Sequence, residues 1–152
     1  MSGVTCSTRL PVSKGLNSDF RKMASNLVPF PRLHFLMTGY APLSVRTPSS
    51  YTKYSVPEIT GQMFNARNML CAADPLHGRY LSAAAMFRGH DFNKPQYYLP
   101  TLDKLSPQFV EWVPNNLKIG VCELPLPGPK KLSATSIANS TAIQEVFRRL
   151  TG

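Results

Sequence analysis

The sequence predicts an α+β domain in which helices flank a mixed β-sheet. Three observations carry that expectation. Helix-like and strand-like stretches alternate along most of the chain, residues 80–87 form an uninterrupted apolar run, and Ser/Thr-x-x-Glu/Gln capping boxes mark helix starts at Ser55 and Thr141.

Residues 1–15 carry turn formers without a sustained period and read as a lead-in. Asn17 then caps a predicted helix to about Leu27, because Asp19 falls in the first turn and Phe20, Met23 and Leu27 recur at spacings of three and four. Pro29 and Pro31 end it. Leu33, Phe35 and Met37 alternate with His34 and Leu36, which predicts a strand ending near Gly39. The polar stretch 44–55 reads as an exposed loop.

Ser55 with Glu58 forms the clearest helix start, and Pro57 lies in the first turn, where its missing amide costs little. Ile59, Met63 and Leu70 carry the period to about Ala72, although Gly61 costs about 1 kcal/mol of propensity. Residues 74–78 read as a turn and 80–87 as an interior strand. Pro95, Pro100 and Pro107 forbid a long helix across 90–108. Strands are predicted at 109–113, 117–124 and 132–138, with a proline-stiffened loop at 125–131. Thr141 and Gln144 open a final helix with Ile143, Val146, Phe147 and Leu150 on one face.

At 152 residues and 43% hydrophobic content, the chain is large enough to bury about two thirds of its unfolded surface around one core. Seventeen Lys plus Arg against eight Asp plus Glu give a formal charge of +9, which attracts anionic partners without naming one. Arg21-Lys22, Lys130-Lys131 and Arg148-Arg149 are isolated doublets without the basic-aromatic interleaving of an RNA-binding sheet, which argues against nucleic acid. Cys6, Cys71 and Cys122 lie far apart and form no zinc-type spacing, in keeping with a reducing compartment. No stretch matches a secretory leader or a membrane span, so the expectation is a soluble cytoplasmic protein without a membrane partner.

No catalytic cluster declares itself. His34, His77 and His90 have no GxSxG or HExxH context, and Glu58, Glu111 and Glu123 share no helix face. Neither GxGxxG nor GxxxxGK[ST] occurs, so no loop in this sequence is built to cradle phosphate.

The run NLVPFPRLHF at 26–35 resembles tubulin, and further stretches agree in order: MSGVT at the start, NSDFRK at 17–22, VPEITGQMFNARNM at 56–69, DPLHGRYL at 74–81, FVEWVPNNLK at 109–118 and NSTAIQEVF at 139–147. GRYLSAAAMFRG and the residues Val121 to Pro125 are similar to the β chain more than the α chain. The resemblance implies that 1–140 form the second domain of a β-tubulin, with 90–108 divergent, and that 141–152 open the C-terminal helix. The family's GGGTGSG phosphate loop is not among these residues. The implied function is that of a tubulin-like structural fragment, related to the GTP-dependent building block of microtubules and not itself an enzyme. It has no cofactor of its own, whereas the full-length family uses GTP with magnesium.

The implied partners are α-tubulin and neighbouring tubulin subunits, in the cytoplasm and cytoskeleton. Lys22 matches the lysine that reaches GTP held by the neighbouring α subunit, with Asn17 and Asp19 in the same interface. Arg46, Tyr51 and Lys53 match the lateral-contact loop, and Leu16, Ser18, Met23, Asn26 and Lys118 match the wall of the colchicine pocket together with Lys22. Departures from the family are Cys6-Ser7, Leu76 in place of the arginine of DPRHGR, a proline-broken 90–108 in place of a helix-forming acidic segment, and one extra residue within 125–131. A regulatory or dominant-negative binder of α-tubulin and a basic nucleic-acid-associated domain are the alternatives to the structural role.

Overall fold

The computed structural model describes residues 25, 27–41, 43, 54–112, 117–122 and 132–152. The long apolar run becomes β2 (Tyr80–Arg88), whose nine residues are all buried. Successive side chains of a strand point to opposite faces, so such a strand needs cover on both. Ala83, Ala85 and Phe87 turn toward Ile59, Met63 and Phe64, while Ala84 and Met86 turn toward Leu27, Cys122 and Ile137.

The sheet is completed by β1 (Met37–Ala41), β3 (Leu117–Cys122) and β4 (Ser133–Ser140), in the order β1-β4-β2-β3. β4 runs antiparallel to β1 and β2, and β2 runs parallel to β3. The sheet is therefore mixed, as the α+β expectation requires. Its helical cover comes from α1 (Val56–Met63), α2 (Leu99–Asp103) and α3 (Gln144–Thr151), with single 3-10 turns between elements.

The capping box forms at α1, where the Ser55 amide donates to the Glu58 carboxylate at 3.4 Å. The helix stops at Met63, however, and not near residue 72. Asn65 supplies the reason: its side-chain oxygen accepts from the Arg67 amide at 3.1 Å and opens a separate turn, Ala66–Asn68. In 90–108 the prolines begin elements instead of interrupting one, with Pro95, Pro100 and Pro107 all in first turns.

Other expected boundaries move. The strand expected at 33–39 is displaced to β1, because Leu33 is held outside the sheet by the Asn139 side chain, which donates to its carbonyl at 2.6 Å. No strand forms at 109–112. Phe109 makes only an isolated bridge to Tyr80, and the Val110 amide donates to the Tyr80 carbonyl at 3.0 Å before a turn begins. β4 extends two residues beyond the predicted 138. The cap near residue 141 is provided by Ser140, whose hydroxyl accepts from the Ala142 amide at 3.2 Å, while Thr141 Oγ1 accepts from the Arg79 amide at 2.9 Å. Of the helix predicted at 17–27, Ser25 and Leu27 are helical and the rest lies outside the described residues.

Candidate functional site

Lys118 is the one predicted site residue inside the described part of the chain. It is half-buried on β3, in register with Ala84 of β2. Because Met86 pairs with Gly120 and Arg88 with Cys122 in the same parallel ladder, Lys118 occupies the sheet face that also carries Leu27, Met86 and Cys122. The predicted pocket wall therefore has its strand member on the face where the 17–27 segment ends. Its other members, Leu16, Ser18, Lys22, Met23 and Asn26, lie outside the described residues, as do Asn17 and Asp19. Arg46, Tyr51 and Lys53 of the expected lateral loop lie outside them too.

The polar anchor of this face is one that sequence reading misses. Asn139 is buried on β4, and its amide nitrogen donates to the carbonyls of Leu27 at 3.2 Å and Leu33 at 2.6 Å. The Ser82 hydroxyl donates to the same Leu27 carbonyl. Buried carbonyls without partners are costly, so these side chains hold both ends of the 27–33 segment against the sheet. In the sequence, Asn139 enters only as the first residue of the NSTAIQEVF stretch; its work in the fold depends on residues more than a hundred positions away.

The 31–36 segment exposes rings. Phe30 lies 5.7 Å from Trp112 between centroids, Phe35 lies 4.9 Å from Phe147, and His34 stacks on Phe35 while its Nδ1 sits 2.9 Å from the Pro31 carbonyl. On the opposite sheet face from Lys118, a cavity of about 340 Å³ is lined by Leu102, Phe109, Val110 and Leu117, with Asp103 and Glu111 at its polar side.

The other titratable groups do not converge. His77 Nδ1 lies 4.0 Å from Glu145, His90 is exposed, and among the described residues no three His, Cys, Asp or Glu side chains sit together as metal ligands. Cys71 and Cys122 are free thiols. Among the described residues no helix is long and apolar enough to cross a membrane. On the strands, Arg88 is buried and Lys118 half-buried, so neither projects a basic platform.

Fold and site together define an α+β module built on a mixed four-stranded sheet flanked by helices. The family model described as the tubulin C-terminal domain matches residues 31–152. The chain is 55% identical over 152 residues to a Tubulin beta chain of Cicer arietinum, and equally so to a Tubulin beta-6 chain of Gossypium hirsutum; each alignment covers 99% of this chain and 33% of the relative. The chain belongs to the tubulin family, as a divergent β-tubulin-like sequence. It spans about a third of the length of these relatives. What it matches is the C-terminal domain, the part of a tubulin without the GTPase chemistry.

Proposed function

We propose that this chain is a structural tubulin module whose surviving activity is weak contact with α-tubulin through residues 17–22. Residues 1–140 act as the second domain and 141–152 as the opening of the C-terminal helix, at the cytoskeleton in the cytoplasm. Lys22, with Asn17 and Asp19, meets the GTP phosphates held by the partner, so the nucleotide and its magnesium belong to the partner subunit. A lysine suits that role as a mobile point charge. Arg46, Tyr51 and Lys53 serve lateral contacts, and Leu16, Ser18, Met23, Asn26 and Lys118 wall a drug-type pocket with Lys22.

The observation that carries this reading is the 55% identity to β-tubulin chains across 99% of the sequence, within which 17–22 keeps the motif NSDFRK. The clamp of Asn139 and Ser82 on Leu27 supports it, since a segment that must present a lysine to a partner needs a fixed root. Immobilised tubulin dimer, titrated with wild type and Lys22→Glu at about 50 and about 300 mM salt, tests the contact. Wild type is expected to bind with a Kd weaker than about 10 μM and the variant more weakly still, the difference shrinking as salt rises. Equal binding of both at low salt removes residues 17–22 from the interface.

A further inference from the structure

A serine or threonine followed directly by proline occurs twice in the chain, at Thr47-Pro48 and at Ser106-Pro107, and Thr47 lies outside the described residues. Ser106 is exposed, as are Asp103, Lys104 and Pro107, while Leu105 and Gln108 are half-buried. The buried neighbours on either side are Leu102 in α2 and Phe109. Residues 103–108 are therefore a strap between two apolar anchors, with no fully buried side chain of its own.

The backbone hydrogen bonds of the strap are local. The Leu105 amide donates to the Leu102 carbonyl at 2.9 Å, the Gln108 amide to the Leu105 carbonyl at 2.9 Å and the Phe109 amide to the Ser106 carbonyl at 3.1 Å. A segment held by such short-range bonds and few buried contacts opens at low cost while the sheet stays closed. Drawn out, six residues reach about 20 Å, enough to lie extended in the cleft of an enzyme that acts on peptide substrates.

Ser106 also lines the 340 Å³ cavity together with Asp103 and Glu111. Among the described residues neither carboxylate has an ion-pair partner, and no cation lines the cavity with them. A phosphoseryl group carries about −1.5 to −2 charges at pH 7, so placed beside two carboxylates it is repelled. The Ser106–Gln108 turn is too short to offset that repulsion with a helix dipole.

We propose that Ser106 is the acceptor of a proline-directed serine/threonine protein kinase, and that the phosphate releases the 103–108 strap from the cavity. In the transfer, Ser106 Oγ bonds to the γ-phosphorus of ATP, the bond from that phosphorus to the β–γ bridging oxygen breaks, and ADP leaves. The hydroxyl proton passes to a carboxylate base of the kinase. The site lies within 90–108, where the sequence departs from the tubulin pattern, and it does not depend on the contact through residues 17–22.

The full folded chain is incubated with Mg-ATP and a proline-directed kinase, or with a kinase that selects basic flanks, and the modified residue is located by fragment-ion mass spectrometry. Transfer to Ser106 is expected from the first kinase only, and Pro107→Ala is expected to slow it about tenfold or more. Pro107 is exposed in a three-residue turn, so its replacement leaves the core untouched. Transfer confined to Thr47, transfer to Ser106 only after unfolding in urea, or equal rates for wild type and Pro107→Ala overturns the assignment. Hydrogen exchange reads the strap itself. In the phosphorylated chain the Gln108 and Phe109 amides are expected to exchange about tenfold faster at about 50 mM salt, and the acceleration to shrink at about 300 mM. Asp103→Asn combined with Glu111→Gln should remove the acceleration. Exchange unchanged by phosphorylation, or equally accelerated in the double variant, overturns the release.

Discussion

Tyr80 places a phenol where water does not reach it. The side chain is fully buried between Phe64 and Phe109, and its hydroxyl has no hydrogen-bond partner among the described residues. Burial, and secondarily the Asp74 carboxylate, push its pKa well above the usual phenol value of about 10. The unfolded tyrosine ionises above pH 10 while the folded one keeps its proton, so the unfolded state binds fewer protons there. Stability is therefore complete below about pH 10 and falls by up to about 1.4 kcal/mol per pH unit above it. Tyr80→Phe removes both the unsatisfied hydroxyl and this titration. Urea denaturation should find the variant within about 1 kcal/mol of wild type, or more stable, at pH 7, and less sensitive to alkali between pH 10 and 11. A loss above about 2 kcal/mol at pH 7 would mean that the hydroxyl has a stabilising partner in solution. The sequence marks Tyr80 as core by its place in the apolar run, but nothing in the run says that its oxygen goes unpaired. At the same scale, Leu76 is exposed in the turn Pro75–His77, and nothing among the described residues explains it.

Two glycines separate what a local pattern says from what packing demands at the level of elements. Gly61 sits inside α1, and a Cβ built there meets nothing within 4 Å. Gly39 sits in β1, and a Cβ there would lie 2.5 Å from the Met63 carbonyl oxygen and 2.7 Å from Ser136 Oγ, which itself donates to that carbonyl at 3.2 Å. The end of α1 approaches the sheet across Gly39, and a backbone oxygen cannot step aside as a flexible side chain can. Gly61→Ala is expected to stabilise by about 0.5–1 kcal/mol through helix propensity and the entropy of the unfolded chain. Gly39→Ala is expected to destabilise by about 1–3 kcal/mol through overpacking. Chemical denaturation of the pair checks both, and the same sign for both would contradict this account of the α1–β1 approach. From the sequence, Gly61 reads as a helix defect and Gly39 as the end of a strand, whereas in the fold Gly39 is interior to β1 and Gly61 is harmless. The α1 start was legible because its capping box is local chemistry. Its end was not, because the apolar period runs on through Asn65, whose side chain opens the next turn instead.

For the whole molecule, charge and sequence content bear on nucleotide chemistry. Phosphates bind where several amides or cations converge, and the 152 residues contain no glycine-rich phosphate loop. Titration calorimetry of the folded chain with Mg-GTP is expected to give no saturable heat, and one-to-one binding in the micromolar range would show that the chain builds a nucleotide site of its own. The family, the α+β class, the buried β2 and the proline-divided 90–108 region were all decided by the sequence alone, because motif, strand periodicity and proline stereochemistry act over a few neighbouring residues. The displacement of the first strand to Met37–Ala41, the clamp of Asn139 on Leu27 and Leu33, and the ring pairs Phe30–Trp112 and Phe35–Phe147 were decided by the tertiary structure. Each depends on partners from distant parts of the chain. Leu33 and Phe35 have the alternation of a strand, but Asn139 holds the Leu33 carbonyl outside the sheet and the pairing with β4 begins at Met37. Local preference proposes which residues are apolar and extended; register, and which apolar side chains remain in solvent, are settled only when the sheet closes over its core.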